Sequence, residues 1–250
     1  MSKQSNNDRI KIITTEEHFI SLEISALYAA QLQELNPYFK DAFNINDKYS
    51  PSIEQLQDIG ELRIADMDKH GIDMQVLSYT SPGTQMIKGE AGVAMARKAN
   101  DMVAAAIQAF PTRFAGFASL PTDDPLAAVA ELERCVNELG FTAVMLNGRT
   151  DNLFLDHPSF DPLLAAAERL RTPIYIHPTV PPKAVYEAYY DHLEPLVSAR
   201  LSTAGWGWHN EAGIHGVRLI AAGVFDKYPD LQIILGHWGE MATFYLERID

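Results

Sequence analysis

The chain has 250 residues, 47% of them hydrophobic, which is enough for a large core, and we predict one domain over residues 1–250. Its net charge of −13 is spread along the chain without a basic patch, which argues against nucleic acids and anionic membranes and leaves small molecules as partners. A single cysteine excludes an internal disulfide framework and a multi-cysteine metal site. The polar N-terminus predicts neither a signal peptide nor a membrane span, so we expect a cytoplasmic protein.

The first predicted strand starts with the apolar run IKII and leads directly into TEEHF. Residues 21–57 follow, with short helical patterns broken by Pro and Asn, which is typical of a long insertion that covers something. Beyond it, amphipathic helical patterns alternate with strands that are apolar nearly throughout. This alternation is typical of a parallel sheet covered by helices, and a TIM-type (β/α)8 barrel fits it best. The predicted strands open near Ile10, Ile72, Arg113, Thr142, Pro173 and Leu231.

The number of strands differs from that of a closed barrel. We predict six strands, whereas a TIM-type barrel closes with eight. An open barrel has two unpaired apolar edges, and such edges promote aggregation. We therefore expect either that the last two β/α units of the natural protein are absent from this sequence or that a neighbour covers the gap, and we favour the first explanation.

Polar side chains stand at the ends of three predicted strands. Glu16 and His18 are two residues apart, so both project to the same side of the first strand while Glu17 projects away. His177 ends the apolar strand PIYIH, and His237 ends LQIILGH. Each histidine alone is consistent with an ordinary core or surface residue. Together they are expected to meet at the C-terminal mouth of the barrel, where their donors suit one divalent ion, Zn²⁺ or Mn²⁺, with an open position.

Four further residues are expected near the mouth, each with an ordinary structural alternative. Trp206 and Trp208 are candidates for an aromatic wall against a flat substrate, and packing beneath a loop explains them equally well. Tyr79 and Asn147 end two predicted strands and face the mouth by position, although the neighbouring SPG and NGR are also plain loop signals.

The segment after Trp208 predicts the start of a helix. Asn210 is the expected N-cap and Glu211 lies in the first turn, with His209 beside them. His215 follows Glu211 by one helical turn and is expected to pair with it. None of these residues is assigned a chemical role from the sequence.

Longer motifs resemble a known enzyme family. The chain contains, in order, TEEHF, LRIADMDKHGIDMQVLSYTSPG, YIHP, GVFDKYPDLQIILGHWGE and the closing ERID. Together they are similar to the aromatic-acid decarboxylases of the amidohydrolase superfamily. This group includes γ-resorcylate, 2,3-dihydroxybenzoate and 5-carboxyvanillate decarboxylases and is related to aminocarboxymuconate semialdehyde decarboxylase. The resemblance implies a (β/α)8 barrel holding one divalent metal, with Glu16, His18 and His177 as ligands.

The resemblance also implies roles near the C-terminus of the chain. His237 corresponds to a histidine near the substrate, and Glu240 to a glutamate hydrogen-bonded to that histidine. Arg248 matches a position that in some members contacts the substrate in the site of a neighbouring subunit, which implies a homodimer or homotetramer. The family's remaining metal ligand is an aspartate at the end of strand eight, and this sequence has no corresponding strand.

The activity implied by the resemblance is a redox-neutral, reversible decarboxylation of a hydroxylated aromatic carboxylic acid, without an organic cofactor. One alternative is a metal-dependent hydrolase that opens a lactone or amide with a metal-bound hydroxide. The same ligands would serve it, although Glu-x-His stands where hydrolytic relatives commonly have His-x-His. The other alternative is a non-catalytic remnant that lacks the strand-eight aspartate.

Overall fold

The computed structural model describes residues 9–42 and 51–249. Within them, six strands form one sheet in the order β1-β2-β3-β4-β5-β6, and every neighbouring pair is parallel. The predicted parallel α/β architecture is thereby confirmed. The strands are β1 (Ile13–Phe19), β2 (Met74–Tyr79), β3 (Phe114–Ala118), β4 (Ala143–Asn147), β5 (Ile174–His177) and β6 (Ile233–Leu235).

Helices connect the strands, and the described part of the predicted insertion at 21–57 also carries helices, while its residues 43–50 lie outside the described ranges. None of the helices in the described ranges combines the length and the apolar character that a bilayer span requires. The helices are α1 (Leu22–Leu35), α2 (Phe39–Ala42), α3 (Ile53–Gln57), α4 (Glu61–His70), α5 (Gly89–Ala109), α6 (Pro125–Asn137), α7 (Asp161–Arg169), α8 (Lys183–Tyr189), α9 (Pro195–Ser202), α10 (Gly207–Ala221), α11 (Val224–Lys227), α12 (Gly236–Gly239) and α13 (Leu246–Ile249).

The sheet curls so that β1 and β5 face each other. The Tyr175 hydroxyl on β5 donates a hydrogen bond to the Glu16 carboxylate on β1. Nε2 of His18 lies 3.2 Å from Nε2 of His177. Because β2, β3 and β4 separate β1 from β5 in the sheet, these contacts have to cross the inside of the curl. The fold is therefore a half-barrel, and Glu16, His18 and His177 lie on its inner side.

Alternating side chains divide the apolar core into two layers. On β4, Val144 and Leu146 belong to the large cluster packed beneath the helices, while Met145 belongs to a small cluster that also contains Phe117 and Tyr175. Successive strand residues face opposite sides of a sheet, so the small cluster lies on the inner side. His177 follows Tyr175 by two residues and consequently faces the same interior.

Two predicted boundaries are corrected by the structure. β1 starts at Ile13 instead of near Ile10 and continues through TEEHF, so its polar residues lie within the strand and not beyond its end. β6 ends at Leu235, two residues before His237, because the chain enters a left-handed turn there. After this turn the chain forms a short 3₁₀ turn and α13, and the backbone from 237 to 241 has positive φ throughout.

The N-terminus of α10 also differs from the prediction. The helix begins at Gly207 with Trp206 at the N-cap, so Asn210 lies inside the first turn and does not cap it. Gly207 makes this early start feasible because a Cβ there would lie only 2.3 Å from the carbonyl oxygen of Ser202. The early start places His209 on the first turn of the helix.

Candidate metal centre

Three ligand atoms converge inside the half-barrel. Oε1 of Glu16 lies 3.7 Å from Nε2 of His18 and 3.0 Å from Nε2 of His177. The two Nε2 atoms are 3.2 Å apart. The structure therefore brings together the three side chains that the sequence placed at one mouth, two from β1 and one from the end of β5.

A bulge in β1 sets the direction of Glu16. This residue has φ of 67°, and the register of β1 against β2 shifts between Thr14 and Glu17. A bulge adds one residue to a strand and re-aims its side chains, often beside an active site. Glu16 and His18 consequently both face the interior, whereas Glu17 lies 4.0 Å from the Arg63 guanidinium. Simple alternation predicted the same directions, but the bulge produces them here.

Hydrogen bonds at Nδ1 orient His177 and His18, so that Nε2 of each ring faces the cluster. Nδ1 of His177 lies 2.6 Å from the carbonyl oxygen of Pro178, which only accepts, so Nδ1 carries the hydrogen and Nε2 presents a lone pair. Nδ1 of His18 lies 2.9 Å from Oγ of Ser78. Burial lowers the pKa of His177, which keeps the ring neutral. Metal-ligating histidines are typically oriented by such outer partners.

The carboxylate of Glu16 is anionic despite its partial burial. Burial by itself raises the pKa of a carboxyl group, but hydrogen bonds donated by His237 and Tyr175 hold the pKa of Glu16 well below its usual range. Burial, together with the Glu16 carboxylate, raises the pKa of Tyr175, so its hydroxyl stays a donor. Both oxygens of Glu16 are thus engaged inside the half-barrel.

The ligand set fits a divalent cation. One carboxylate oxygen and two imidazole nitrogens lie within 4.8 Å of one another. Such nitrogen and oxygen ligands are common for Zn²⁺ and Mn²⁺, and three protein ligands leave coordination positions for a substrate.

His237 and Glu240 adjoin this cluster through a left-handed turn. The φ angles are 42° at His237, 64° at Trp238, 80° at Gly239 and 51° at Glu240. The turn brings Nδ1 of His237 to 2.5 Å from Oε1 of Glu240, while Nε2 lies 2.9 Å from Oε1 of Glu16. Hydrogen bonds to Glu16 and Glu240 raise the pKa of His237 to about 10. The imidazole therefore connects Glu240 with the three-ligand cluster.

Two further residues, to which the sequence patterns gave no chemical role, contact this group. Tyr175 reaches Glu16 from two residues before His177, and that spacing on one strand was a usable signal. His209 lies with Nδ1 2.7 Å from Oε2 of Glu240 and Nε2 3.1 Å from the carbonyl oxygen of Ala204. Nothing in the local sequence connected His209 with Glu240, because they meet only through the packing of α10 on the turn.

The two tryptophans lie in different places. The Trp208 ring centroid is 6.3 Å from that of His177, so Trp208 forms a wall beside the cluster. Trp206 is 45% exposed and lines a cavity of about 230 Å³ with Met241 and Tyr245, on the other side of the turn. Of the two, only Trp208 has the position expected of an aromatic wall.

Tyr79 does not face the cluster as predicted. Its ring packs edge-on against Phe19, and its hydroxyl donates to the carbonyl oxygen of Ser21 at 3.3 Å and lies 3.5 Å from the Tyr28 hydroxyl. Across the described ranges, no contact joins Tyr79 to Glu16 or the histidines. The reason is that α1 covers the end of β2 and takes up this hydroxyl.

Asn147 lies beside His177 and next to a cavity, whereas Arg248 lies on the protein surface. Asn147 is aligned with His177 across β4 and β5 and lines a cavity of about 380 Å³ together with Arg149 and Thr179. Its backbone N–H donates to Oε1 of Gln85 at 2.5 Å. Arg248 is exposed on α13 and makes no side-chain contact with the cluster of its own chain within the described residues.

The expected Glu211–His215 pair does not form. Glu211 binds Nε of Arg149 at 2.8 Å, in a pair that is almost fully buried. His215 instead accepts the backbone N–H of Leu155 on Nε2 at 3.0 Å. Each residue finds a partner on the loop after β4, which packs against this side of α10.

The sequence profile of the amidohydrolase family matches residues 18–246. The chain belongs to the amidohydrolase family. The family resemblance drawn from the motifs is thereby confirmed. The family match spans β1 to α13 and includes two of the three candidate ligand residues, with Glu16 just before it.

Similar amidohydrolases include aromatic-acid decarboxylases. Decarboxylase orsB of Emericella nidulans is 40% identical over 198 residues, which cover 78% of this chain and 58% of the relative. The γ-resorcylate decarboxylase of Polaromonas sp. is 39% identical over 214 residues, which cover 82% of this chain and 64% of the relative. The chain thus spans about three fifths of the length of these relatives.

A solved amidohydrolase structure has the same fold. The 5-carboxyvanillate decarboxylase of Novosphingobium aromaticivorans, in complex with manganese and 4-hydroxy-3-methoxy-5-nitrobenzoic acid, superposes with a TM-score of 0.83 at 36% identity. The match covers 96% of this chain and 68% of that one. The described half-barrel is therefore the counterpart of the larger part of a decarboxylase barrel.

Proposed function

We propose that this chain carries the metal site of a decarboxylase that removes CO₂ from a hydroxylated aromatic carboxylic acid. The observation that carries the proposal is the convergence of Glu16, His18 and His177 with the His237–Glu240 pair beside them. The decarboxylases among its relatives support it. The proposed cofactor is one divalent ion, Zn²⁺ or Mn²⁺, and the proposed location is the cytoplasm.

The chemical difficulty is the electron pair that remains on the ring when CO₂ leaves. A hydroxyl group ortho to the carboxylate solves it, because protonation of the ring carbon gives a dienone. The electrons of the breaking C–C bond then return to the ring and restore its aromaticity. When bound, the ion supplies Lewis acidity and a template for the carboxylate and hydroxyl oxygens. No electrons are lost or gained, so the reaction is reversible at high bicarbonate.

The residues of this chain divide the remaining tasks. Glu16, His18 and His177 hold the ion. His237 faces the cluster with Nε2, and Glu240 holds its opposite nitrogen, an arrangement that suits His237 to proton transfer. Trp208 provides a flat surface against which a ring can lie.

Further contacts complete the proposed site. Asn147, aligned with His177, is proposed to contact a ring substituent. Arg248 is proposed to bind substrate in the site of a neighbouring subunit of a homodimer or homotetramer. Neither nucleic acid nor membrane is a proposed partner, because the chain carries a net charge of −13.

Metal content and CO₂ release test the proposal. We expect purified protein to hold one divalent ion and to release CO₂ from a hydroxybenzoate carrying an ortho hydroxyl. His177→Ala removes one of three ligands, so it is expected to lose both the ion and CO₂ release. His192→Ala, an exposed histidine with 91% side-chain exposure, is the matched control and is expected to retain both. CO₂ release by metal-free protein or by His177→Ala would contradict the proposal.

A hydrolytic amidohydrolase would use the same ligands. Product analysis separates the two activities, because a hydrolase acidifies the solution without releasing CO₂ from an aromatic acid. Glu-x-His on β1 and the decarboxylase relatives favour the lyase.

A further inference from the structure

The second oxygen of Glu240 has a partner that the proposed chemistry does not use. Nδ1 of His209, on the first turn of α10, lies 2.7 Å from Oε2 of Glu240. Oε1 of the same carboxylate lies 2.5 Å from Nδ1 of His237. The Glu240 side chain is fully buried, so solvent does not compete for either oxygen. One buried carboxylate thus joins two histidines. Of these two, within the described residues, only His237 also contacts Glu16 of the candidate ligand group.

Both ring nitrogens of His209 face acceptors. Its Nε2 lies 3.1 Å from the carbonyl oxygen of Ala204, and its Nδ1 faces the Glu240 carboxylate. A carbonyl oxygen only accepts, and a carboxylate oxygen at this distance accepts from the ring N–H, so both nitrogens donate. Rotation of the ring would break both bonds, which fixes His209 between the Ala204 turn and Glu240. Hydrogen bonds to an ionised carboxylate are among the stronger ones in proteins.

We propose that His209 is a positioning residue for His237. By donating to Oε2, it fixes the rotation of the Glu240 carboxylate, so that Oε1 meets the Nδ1–H of His237. That bond in turn fixes the ring plane of His237 and aims its Nε2 at the cluster, 2.9 Å from Glu16. His209 acts only through Glu240. The kinetic consequence rests on the proposed function, whereas the effect on the His237 ring does not.

A second ion in place of these hydrogen bonds is the rival arrangement. His209, His237 and Glu240 have ligand atoms within 4.8 Å of one another. An ion between them would need lone pairs on both Nδ1 atoms. Both atoms lie at hydrogen-bonding distance from separate carboxylate oxygens, 2.7 and 2.5 Å, as N–H donors do. We therefore expect a single divalent ion per chain.

Three substitutions separate the two hydrogen bonds of His209. The amide nitrogen of Asn lies near the position of Nδ1, so His209→Asn keeps the donor to Glu240. The amide nitrogen of Gln lies near the position of Nε2, so His209→Gln keeps the donor to Ala204. His209→Leu has the shape of the Asn variant and keeps neither. If His209 positions Glu240, the Asn variant restores the wild-type behaviour and the Gln variant does not.

The measurements combine spectroscopy, metal analysis and kinetics on full-length, Zn²⁺-loaded protein. In spectra of ¹⁵N-histidine-labelled protein, the ring-nitrogen shifts of His237, which report its hydrogen bonds, are expected to match wild type in the Asn variant and to change in the Gln and Leu variants. The kcat for CO₂ release is expected to fall by about 10- to 100-fold in Gln and Leu with unchanged KM, the range seen for outer partners of metal sites. Metal content is expected to stay at one ion.

Each contrary result identifies a different error. Rescue by Gln and not by Asn would mean that His209 only supports the Ala204 turn. A His237 signature and kcat unchanged in the Leu variant would mean that His209 has no positioning role, and two ions per chain would mean a second metal site. Any of these overturns the inference. If wild-type protein releases no CO₂, the proposed function fails, but the His237 signatures still decide the role of His209.

Discussion

The Tyr175 hydroxyl is the clearest case in which a residue outside the candidate ligand set holds one of its members in place. It donates to the Glu16 carboxylate from across the half-barrel. Without it, one oxygen of a partly buried carboxylate loses its partner, and the side chain is free to rotate away from the histidines. Gly236 supports this arrangement, because a Cβ at that position would lie 2.1 Å from the Tyr175 hydroxyl oxygen.

We expect Tyr175→Phe to weaken binding of Mn²⁺ by about 10-fold, because outer partners of metal ligands typically contribute that much to metal affinity. Titration of metal-free protein with Mn²⁺ measures the effect. Tyr186→Phe is the control. The Tyr186 hydroxyl is also buried, but it lies 2.8 Å from Oγ of Ser198 and is not hydrogen-bonded to Glu16. Equal Mn²⁺ affinity in the two variants would show that Tyr175 does not hold Glu16.

At the same scale, the sequence predicted some site residues and missed others. Glu16, His18 and His177 were predicted at one mouth from strand alternation and strand ends, although a bulge in β1 sets the direction of Glu16. Tyr79 has the same kind of position, yet α1 lies above it and takes its hydroxyl. Strand position therefore predicted which residues lie near the mouth. It did not predict that α1 would cover Tyr79 and keep it from the cluster.

Among the elements, the left-handed turn from 237 to 241, which includes most of α12, is the one that local backbone preference opposes most. Left-handed backbone costs roughly 1–2 kcal/mol for each residue other than glycine. The turn is held from outside: a Cβ on Gly213 of α10 would lie 2.6 Å from the carbonyl oxygen of Glu240, so helix and turn are in direct contact. The hydrogen bonds of Glu240 to His209 and His237 add to this support. The turn thus depends on α10 for its shape.

A buried histidine on α10 makes the stability of this region depend on pH. Burial lowers the pKa of His215 from 6.5 to about 3, and Nε2 accepts the backbone N–H of Leu155. Between these values the unfolded chain binds a proton that the folded chain does not. Stability is therefore fully present above pH 6.5 and is lost as the pH falls towards 3, by about 1.4 kcal/mol per pH unit within that window.

We expect His215→Gln, which keeps an acceptor for Leu155 but does not titrate, to have a shallower loss of unfolding free energy between pH 6 and 4, as the lowered pKa of His215 requires. Denaturant titrations at several pH values measure the slope. The comparison between the variants removes the contribution of all other titrating groups, because they are common to both. Identical slopes would show that the protonation of His215 does not differ between the folded and the unfolded chain.

For the whole molecule, the open sides of the half-barrel are the dominant feature. Within the described ranges, β1 and β6 each pair with a single strand. Ile13 on β1 is 53% exposed and Ile234 on β6 is 40% exposed. Edge strands with apolar side chains recruit other chains.

We expect the 250-residue chain to self-associate at micromolar concentration through these edges, as measured by sedimentation velocity. Lysine opposes edge-to-edge pairing, so Ile13→Lys combined with Ile234→Lys is expected to shift the population towards monomer. Leu126→Lys is the control, because Leu126 is 73% exposed but lies on α6, away from both edges. A monomeric wild-type chain, or an equal effect of the control, would contradict the prediction.

The sequence by itself determined the parallel α/β half-barrel and predicted that Glu16, His18 and His177 lie together at its mouth. Helical and strand periodicity, and the order of polar residues along strands, are local properties that any short window reveals. The tertiary structure alone decided that Tyr175 meets Glu16, 159 residues away, and that His209 meets Glu240, 31 residues away. Such contacts depend on how far the sheet curls and where a helix packs, and those are set by the sum of many apolar contacts and not by any local pattern.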